Sequence, residues 1–198
     1  MGKVLIGLGV LVAIFGASCV GSYNKLVRLG QAVDSQWSQV ENVYQRRADL
    51  VPNLVETVKG AANFERGTLI AVTEARAKVG QVSAQTTTQI TSDPAALQKF
   101  QQAQDGLSSA LSRLLVVSER YPDLKATANF RDLQAQLEGT ENRVTVERMR
   151  FTEAAQAFNS ARDSFPTVLM AGLFGKRFAE KAYFTAQAGA ATAPHVQF

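Results

Sequence analysis

Apolar residues recur every three or four positions through most of this chain, which is the spacing that puts them on one face of an α-helix. Period-two alternation, the pattern of a strand, does not extend beyond four residues before the C-terminal tail. The pattern predicts four helices, each with one buriable face. Their apolar stripes are Leu26, Val33, Trp37, Val40 and Tyr44; Leu50, Leu54, Val58, Ala61, Leu69, Val72 and Val79; Phe100, Leu107, Leu111, Leu114 and Val117; and Phe130, Leu133, Leu137, Val144, Phe151, Phe158 and Phe165.

Prolines and one polar stretch separate these stripes. Pro52 and Pro122 stand in similar contexts, and proline is tolerated in the first turn of a helix but not in its interior, so each predicts a hairpin corner. Residues 80–94 are rich in Ser, Thr, Gln and Gly and predict a loop between the second and third helices. Pro166 is predicted to end the fourth helix.

The N-terminal segment differs from the rest of the chain because residues 4–24 carry no charge. As a helix they span about 31 Å at ~1.5 Å per residue, which is close to the thickness of a hydrocarbon core. No second run of this kind follows. The pattern predicts a single transmembrane helix, or a cleaved signal, within residues 1–22.

The alternative fate of this segment centres on Cys19. The cysteine follows two small residues near the end of an apolar run behind one basic residue, and lipoprotein signals are built in this way. However, Gly16 stands where such signals usually carry a branched aliphatic residue, and the apolar run continues past the cysteine. The sequence therefore leaves two readings open, an uncleaved anchor and a lipid-modified Cys19.

Composition removes several classes of site from consideration. One cysteine excludes an internal disulfide framework, and one histidine, His195, excludes any site that needs two imidazoles. The net charge of +4 is dispersed among acidic residues along the helices. A nucleic-acid footprint would need clustered Lys and Arg, so we expect no nucleic-acid partner.

These patterns together predict an all-α protein. Residues 23–166 are expected to form an elongated antiparallel four-helix bundle, and the N-terminal transmembrane helix should run directly into its first helix because no proline or glycine-rich linker intervenes. Residues 167–198 form a separate C-terminal tail.

Charged residues on the predicted core faces need partners, because buried charges persist only when they are paired and hydrogen-bonded. Glu141 and Arg148 lie in phase with the apolar residues of the fourth stripe. Charged residues at the two proline corners are natural partners. The sequence therefore predicts a structural ion-pair network of Arg47, Asp49, Glu119, Glu141 and Arg148.

A catalytic alternative would group Glu65, Glu119 and Glu141 as a carboxylate cluster of the kind found in di-metal helical bundles. Those bundles also use a Glu-x-x-His motif on two helices, and the chain has no histidine before His195. No Gly-x-Ser-x-Gly elbow or glycine-rich phosphate loop occurs. We therefore predict no catalytic, metal or cofactor residues.

The tail carries more aromatic residues than a solvated segment should. We expect it to fold over the bundle, with a neighbouring subunit or the membrane surface as the alternatives; there Lys176 and Arg177 would meet anionic lipid. The residues predicted to make these tail contacts are Phe174, Phe178, Tyr183, Phe184 and Phe198.

Several motifs in this chain resemble those of the LemA family of bacterial proteins. They are Arg46-Arg47-Ala48-Asp49-Leu50-Val51-Pro52-Asn53-Leu54, Glu74-Ala75-Arg76-Ala77, Glu119-Arg120-Tyr121-Pro122-Asp123-Leu124 and Leu137-Glu138-Gly139-Thr140-Glu141-Asn142. The resemblance extends from Tyr23 to Phe198. It implies a membrane-anchored bacterial protein with an antiparallel four-helix body, and it gives no catalytic residues to transfer.

The functional hypothesis is a non-enzymatic, single-pass scaffold of the bacterial cell membrane. It would contact lipid through residues 4–24, carry its body on the periplasmic or extracytoplasmic side, and bind further copies of itself or other membrane proteins. One alternative is an accessory or regulatory subunit of a membrane protease or transporter. Another is an enzyme that uses clustered carboxylates.

Overall fold

The computed structural model describes residues 2–60, 65–83 and 87–185, and their regular elements are all helices, which confirms the predicted all-α class. The α-helices are α1 (Gly2–Lys59), α2 (Arg66–Ser83), α3 (Thr87–Ser92), α4 (Pro94–Ser118), α5 (Pro122–Ala126), α6 (Ala128–Asp163) and α7 (Thr167–Phe174). A short 3₁₀ helix, Gly175–Phe178, follows α7.

The predicted corner at Pro52 is wrong. Helix α1 continues through this proline to Lys59, so the apolar segment and the first half of the second stripe belong to one helix of 58 residues. A proline inside a helix frees the carbonyl four residues earlier, here that of Ala48. The side chain of Arg76, from α2, donates its Nε hydrogen to this carbonyl at 3.0 Å, and a hydrogen bond from another helix thus replaces the missing backbone one.

The polar stretch 80–94 is also more helical than predicted. Helix α2 extends into it, α3 lies within it, and Asp93 caps α4 by accepting a hydrogen bond from the Ala95 amide at 2.9 Å. The Pro122 corner does separate α4 from α6, with α5 between them. Helix α6 ends at Asp163, close to the predicted stop at Pro166.

The long helices pack along their lengths in a consistent register. Gly30 lies beside Phe158, the rings of Trp37 and Phe151 are 5.2 Å apart, and Arg47 pairs with Glu141 at 2.6 Å. Because one residue number rises as the other falls, α1 and α6 are antiparallel. Helix α4 runs parallel to α1, since its Phe100 meets Tyr44 and its Gln104 meets Arg47.

We call the end of the helical body near Tyr23 the base and the end near Lys59 and Pro122 the tip. The buried apolar residues divide into two clusters along this axis. The base cluster consists of Leu26, Val33, Trp37, Val40, Tyr44, Ile90, Leu97, Phe100, Val144, Phe151, Ala155, Phe158, Ala171, Phe178 and Ala182. The tip cluster consists of Leu50, Val51, Leu54, Val55, Val58, Val72, Val79, Leu107, Leu111, Leu114, Leu124, Phe130 and Leu137.

Candidate functional site

A layer of polar side chains lies between the two apolar clusters, and we call it the polar belt. Its centre is Arg47, which is only 1% exposed. The Nη1 atom of Arg47 donates to Glu141 Oε1 and to Ser108 Oγ, each at 2.6 Å, and Nη2 donates to the backbone oxygen of Gln104 at 3.2 Å and to its side-chain oxygen. Three helices, α1, α4 and α6, are thus joined through one guanidinium group.

The polar belt is asymmetric in its exposure to water. Glu141 keeps 42% of its side chain exposed, so its charge remains partly hydrated while that of Arg47 does not. The Nε atom of Arg47 is buried without a hydrogen-bond partner, and the guanidinium carbon lies 5.0 Å from the centre of the Tyr44 ring. Such an arrangement stabilises a fixed alignment of the three helices more than it prepares any group for reaction.

Burial raises the pKa of the Tyr44 hydroxyl above its ordinary value of about 10, although the positive charges of Arg148 and Arg47 oppose the shift. Tyr44 is therefore neutral at physiological pH. Asp105 is 4.0 Å from Arg148, so a second charge pair lies beside the belt. Arg47, Arg148, Asp105 and Glu141 thus place both signs of charge around the phenol of Tyr44.

The structure brings together only part of the predicted ion-pair network. Arg47 pairs with Glu141, whereas Arg148 pairs with Asp105, which is outside the predicted network. Asp49 lies two residues after Arg47, about 200° around the helix. It therefore faces solvent and accepts a hydrogen bond from Gln45 at 2.8 Å.

The acids of the carboxylate hypothesis also have separate partners. Glu65 pairs with Arg120 at 2.8 Å, and Glu119 pairs with Lys125 in an exposed contact at the tip. Glu141 belongs to the polar belt. Within residues 2–60, 65–83 and 87–185, no three Asp, Glu, His or Cys side chains come together as a metal site would require.

An extended segment of the tail, residues 179–185, crosses the base of the body, and we call it the strap. Two side-chain amides act as substitutes for a neighbouring strand. Asn159 accepts from the backbone amide of Lys181 and donates to its carbonyl, both at 2.8 Å. Gln101 accepts from the amide of Thr185 at 3.3 Å and donates to its carbonyl at 2.8 Å.

The strap and the 3₁₀ helix place most of the predicted tail contacts on the body. The Phe184 ring lies 6.1 Å from Trp37 and 5.5 Å from Phe151, and the guanidinium of Arg148 covers it at 4.4 Å. The Phe178 ring lies 5.5 Å from that of Tyr23.

The remaining predicted tail residues are less enclosed. Phe174 lies 5.1 Å from Tyr23 but is 43% exposed, and the hydroxyl of Tyr183 accepts a hydrogen bond from Asn159 at 2.7 Å. Phe198 and His195 lie outside the described residues.

Sequence reasoning missed four polar residues that organise these contacts. Gln104 and Ser108 complete the polar belt, and Gln101 and Asn159 hold the strap. A signal for one of them was available, because Gln104 lies four residues after Phe100 on an otherwise apolar stripe. Asn159 is adjacent to a core phenylalanine and gives no comparable signal.

The N-terminal part of α1 projects from the body as an apolar helix. In the described part of the chain, this is the one helix long and apolar enough to cross a membrane. Cys19 is a free, partly covered thiol near the end of this apolar part that adjoins the body. The exposed apolar residues of this segment are Leu5, Ile6, Leu8, Val10, Leu11, Val12, Ile14, Phe15 and Val20.

Two open grooves lie on the described surface. One lies at the tip, where its walls include Thr57, Arg120 and Asp123. The other lies between α1 and α2, where its walls include Glu41 and Arg76. Neither set of lining residues includes Ser, Cys or His as a nucleophile or base.

The sequence profile of the LemA family matches residues 36–198, which contain the polar belt, the strap and nearly all of the body. The chain belongs to the LemA family. The resemblance of its corner and stripe motifs to LemA proteins is thereby confirmed.

Curated relatives fall into two named groups at low identity. Magnetosome protein MamQ 2 of Paramagnetospirillum magneticum is 24% identical, over 85% of this chain and 67% of its own length. Protein LemA of Metamycoplasma hominis is 24% identical, over 79% of this chain and 66% of its own. Magnetosome protein MamQ of Magnetospirillum gryphiswaldense is 23% identical, over 87% of this chain and 69% of its own. The chain thus spans about two thirds of each of these LemA-type relatives.

Proposed function

We propose that this LemA-family protein is a non-enzymatic scaffold, anchored in a bacterial membrane through residues 4–24, whose antiparallel four-helix bundle binds other proteins or further copies of itself. The observation that carries this proposal is the continuity of α1. One helix of 58 residues begins as an exposed apolar segment and ends inside the tip cluster. An anchor joined to its body without a break holds that body at a fixed height above the bilayer.

The non-enzymatic part of the proposal rests on how the polar groups are used. The polar belt directs its donors and acceptors at one another, and Glu65, Glu119 and Glu141 each neutralise a different cation. Perturbed groups in a cleft are the usual mark of a reactive site. The shifted group here, Tyr44, borders the second groove, but it is only 4% exposed and packs against Phe100 and Arg47.

Membrane attachment is tested by fractionating cells that express the full chain or a variant lacking residues 2–22. We expect the full chain in the membrane pellet after carbonate washing, and the shortened chain in the supernatant. A full chain released by carbonate would refute the anchor. Intact mass distinguishes the two fates of Cys19, because lipid modification would remove the first 18 residues and add acyl chains.

The binding role is tested by crosslinking in native membranes. Products at integer multiples of 21.4 kDa would support self-association. Products with other masses would favour an accessory subunit of a membrane protease or transporter. A protein that stays monomeric and forms no crosslinked product in native membranes would contradict the scaffold. Protease protection in intact cells locates the body, which we expect on the extracytoplasmic side.

A further inference from the structure

Helix α7 and the residue before its proline leave an apolar stripe uncovered at the base of the body. Phe165, Leu169 and Leu173 follow one another at intervals of four and are 80%, 47% and 73% exposed. Val168 widens the stripe, at 41%. Leu169 and Leu173, one turn apart in α7, lie on the same face of that helix, and Phe165 lies just before its first turn. A face of this kind in a soluble region marks a contact with something outside the chain.

The opposite face of α7 is fixed to the body. Thr167 and Ala171 are buried, and α7 packs against both α1 and α6. The following Phe178 is 3% exposed, and its backbone oxygen accepts a hydrogen bond from Arg162 at 2.8 Å. The uncovered stripe is therefore held in one orientation rather than left to turn inward.

The stripe lies at the height where the apolar segment of α1 enters the body. The register that pairs residue 37 with 151 and residue 47 with 141 brings Asp163, the last residue of α6, opposite Lys25. Phe174, at the other end of α7, has its ring 5.1 Å from that of Tyr23. Tyr23 itself directly precedes Asn24, the last uncharged residue of the segment.

The charges around the stripe are mainly positive. Exposed Lys176 and Arg177 directly follow α7, and exposed Lys25 and Arg28 lie on the adjoining turn of α1. The acids near this end are Asp163, which pairs with Arg162 at 2.6 Å, Asp34, which pairs with Lys181 at 3.6 Å, and Glu180. Aromatic and basic side chains beside an apolar face are the composition of elements that lie at a bilayer surface.

From these observations we infer that α7 and Phe165 form an interfacial element, which inserts its stripe into the headgroup region of the membrane that holds α1 and binds anionic lipid through Lys176 and Arg177. The inference rests on the proposed anchor and adds a second, independent membrane contact. A bilayer explains the position of the stripe as well as its composition, because a membrane-spanning α1 brings the base of the body to the lipid surface.

The test places an environment-sensitive fluorophore at single cysteines in full-length protein that carries Cys19→Ser. The three probe positions are Leu173→Cys in the stripe, Leu11→Cys in the anchor and Val116→Cys near the end of α4 at the tip. Val116 is 70% exposed, so it matches Leu173 in both exposure and chemistry. The protein is placed in nanodiscs of phosphatidylcholine with about one-third phosphatidylglycerol, with or without spin-labelled lipid as a quencher.

We expect spin-labelled lipid to quench the probes at Leu11 and Leu173 and to leave the probe at Val116 unchanged. An unquenched Leu173 probe beside a quenched Leu11 probe would overturn the inference while leaving the anchor intact. An unquenched Leu11 probe would instead refute the proposed anchor. If the Leu173 probe were shielded only as the number of chains per nanodisc rose, a second copy rather than lipid would cover the stripe, which also overturns the inference.

The charge requirement is tested with Lys176→Gln and Arg177→Gln, and Arg113→Gln, an exposed charge near the tip, is the matched control. Quenching at Leu173 should fall in the double variant when anionic lipid is present, and it should not change in the control. Equal quenching in all three proteins, with and without phosphatidylglycerol, would show that Lys176 and Arg177 do not bind anionic lipid.

Discussion

The base and the tip of this protein are stabilised in different ways. The base cluster is rich in aromatic rings, with Trp37 in edge contact with Phe100 and Phe151, and the strap closes it from outside. The tip cluster is mainly leucine and valine, and helices rather than the strap form the surface around it. The polar belt lies between the two. The half adjoining the proposed anchor is thus tied together by distant segments of the chain, while the far half is packed by helix faces alone.

Because their contacts differ, the two halves should respond separately to substitution. The base depends on contacts between residues far apart in sequence, such as Gln101 and Thr185. Aromatic rings whose centres lie about as close as those of Trp37 and Phe151, 5.2 Å, also add stability beyond their buried area. The tip depends on aliphatic burial. Trp37 is the single tryptophan and is fully buried in the base cluster, so its emission reports on the base alone.

The sharpest separation of the halves should come from core truncations. Phe151→Ala is expected to cost about 3–5 kcal/mol and Leu114→Ala about 2–5 kcal/mol, since both side chains are buried. Thermal melting by circular dichroism measures both losses. Only Phe151→Ala should shift the emission of Trp37 in the native state. A comparable shift in Leu114→Ala would mean that the belt does not separate the clusters.

The next largest effect should come from the belt. Arg47→Ala leaves Gln104 and Glu141 without their buried donor and is expected to cost about 2–4 kcal/mol, somewhat below the usual cost of breaking a buried pair because Glu141 is partly hydrated. Glu141→Ala should also destabilise the protein, because it leaves the buried charge of Arg47 without a carboxylate. Denaturant unfolding measures both. Equal stability of Arg47→Ala and the parent protein would contradict the role given to the belt.

Removing the strap's aromatic contact should affect the base alone. Phe184→Ala is expected to cost about 2 kcal/mol, roughly half of a full phenylalanine truncation because the ring is only partly buried. The emission of Trp37 should move to longer wavelength as water reaches the indole. Tyr183→Phe is the control: it removes one hydrogen bond, worth about 1 kcal/mol, without uncovering Trp37. An unshifted emission in Phe184→Ala would show that the strap does not cover the base core.

A smaller effect should appear at alkaline pH. The pKa of Tyr44 is raised by burial, so above about pH 10 the unfolded chain loses this proton before the native protein does, and stability falls as the pH rises. Tyr44→Phe should flatten the decline in the free energy of unfolding above pH 10 and leave it nearly unchanged at pH 7. The same slope in both proteins would indicate that the phenol is hydrated in the native state.

The smallest effect is expected at the tip surface. Glu119 pairs with Lys125 while most of its own side chain stays in water, and exposed pairs of this kind contribute about 0–1 kcal/mol. Glu119→Ala should therefore lower the melting temperature by no more than about 2 °C. If Glu119→Ala lowered the melting temperature as much as Glu141→Ala does, Glu119 would belong to the ion-pair network that the sequence predicts.

The apolar spacing predicted the helices because side-chain direction repeats with the helix itself, and every described residue of the predicted stripes between Leu26 and Phe158 lies in a helix. The corner prediction at Pro52 is wrong because the hydrogen bond that replaces the one lost at this proline comes from Arg76, on another helix. Spacing along one helix could have shown that Arg47 and Asp49 face different directions, but not that Ser108 and Gln104 would meet Arg47. The amide side chains that hold the strap likewise have no local pattern.

The unbroken length of α1 has a mechanical consequence. At ~1.5 Å per residue its 58 residues make a rod of about 87 Å, of which the proposed transmembrane part is the shorter arm. A transmembrane helix that is longer than the local bilayer is thick adjusts by tilting. With no hinge between the arms, a tilt of about 10° in the lipid would displace the tip sideways by about 10 Å. Local bilayer thickness would then set how far the body leans, and so which neighbours it can reach.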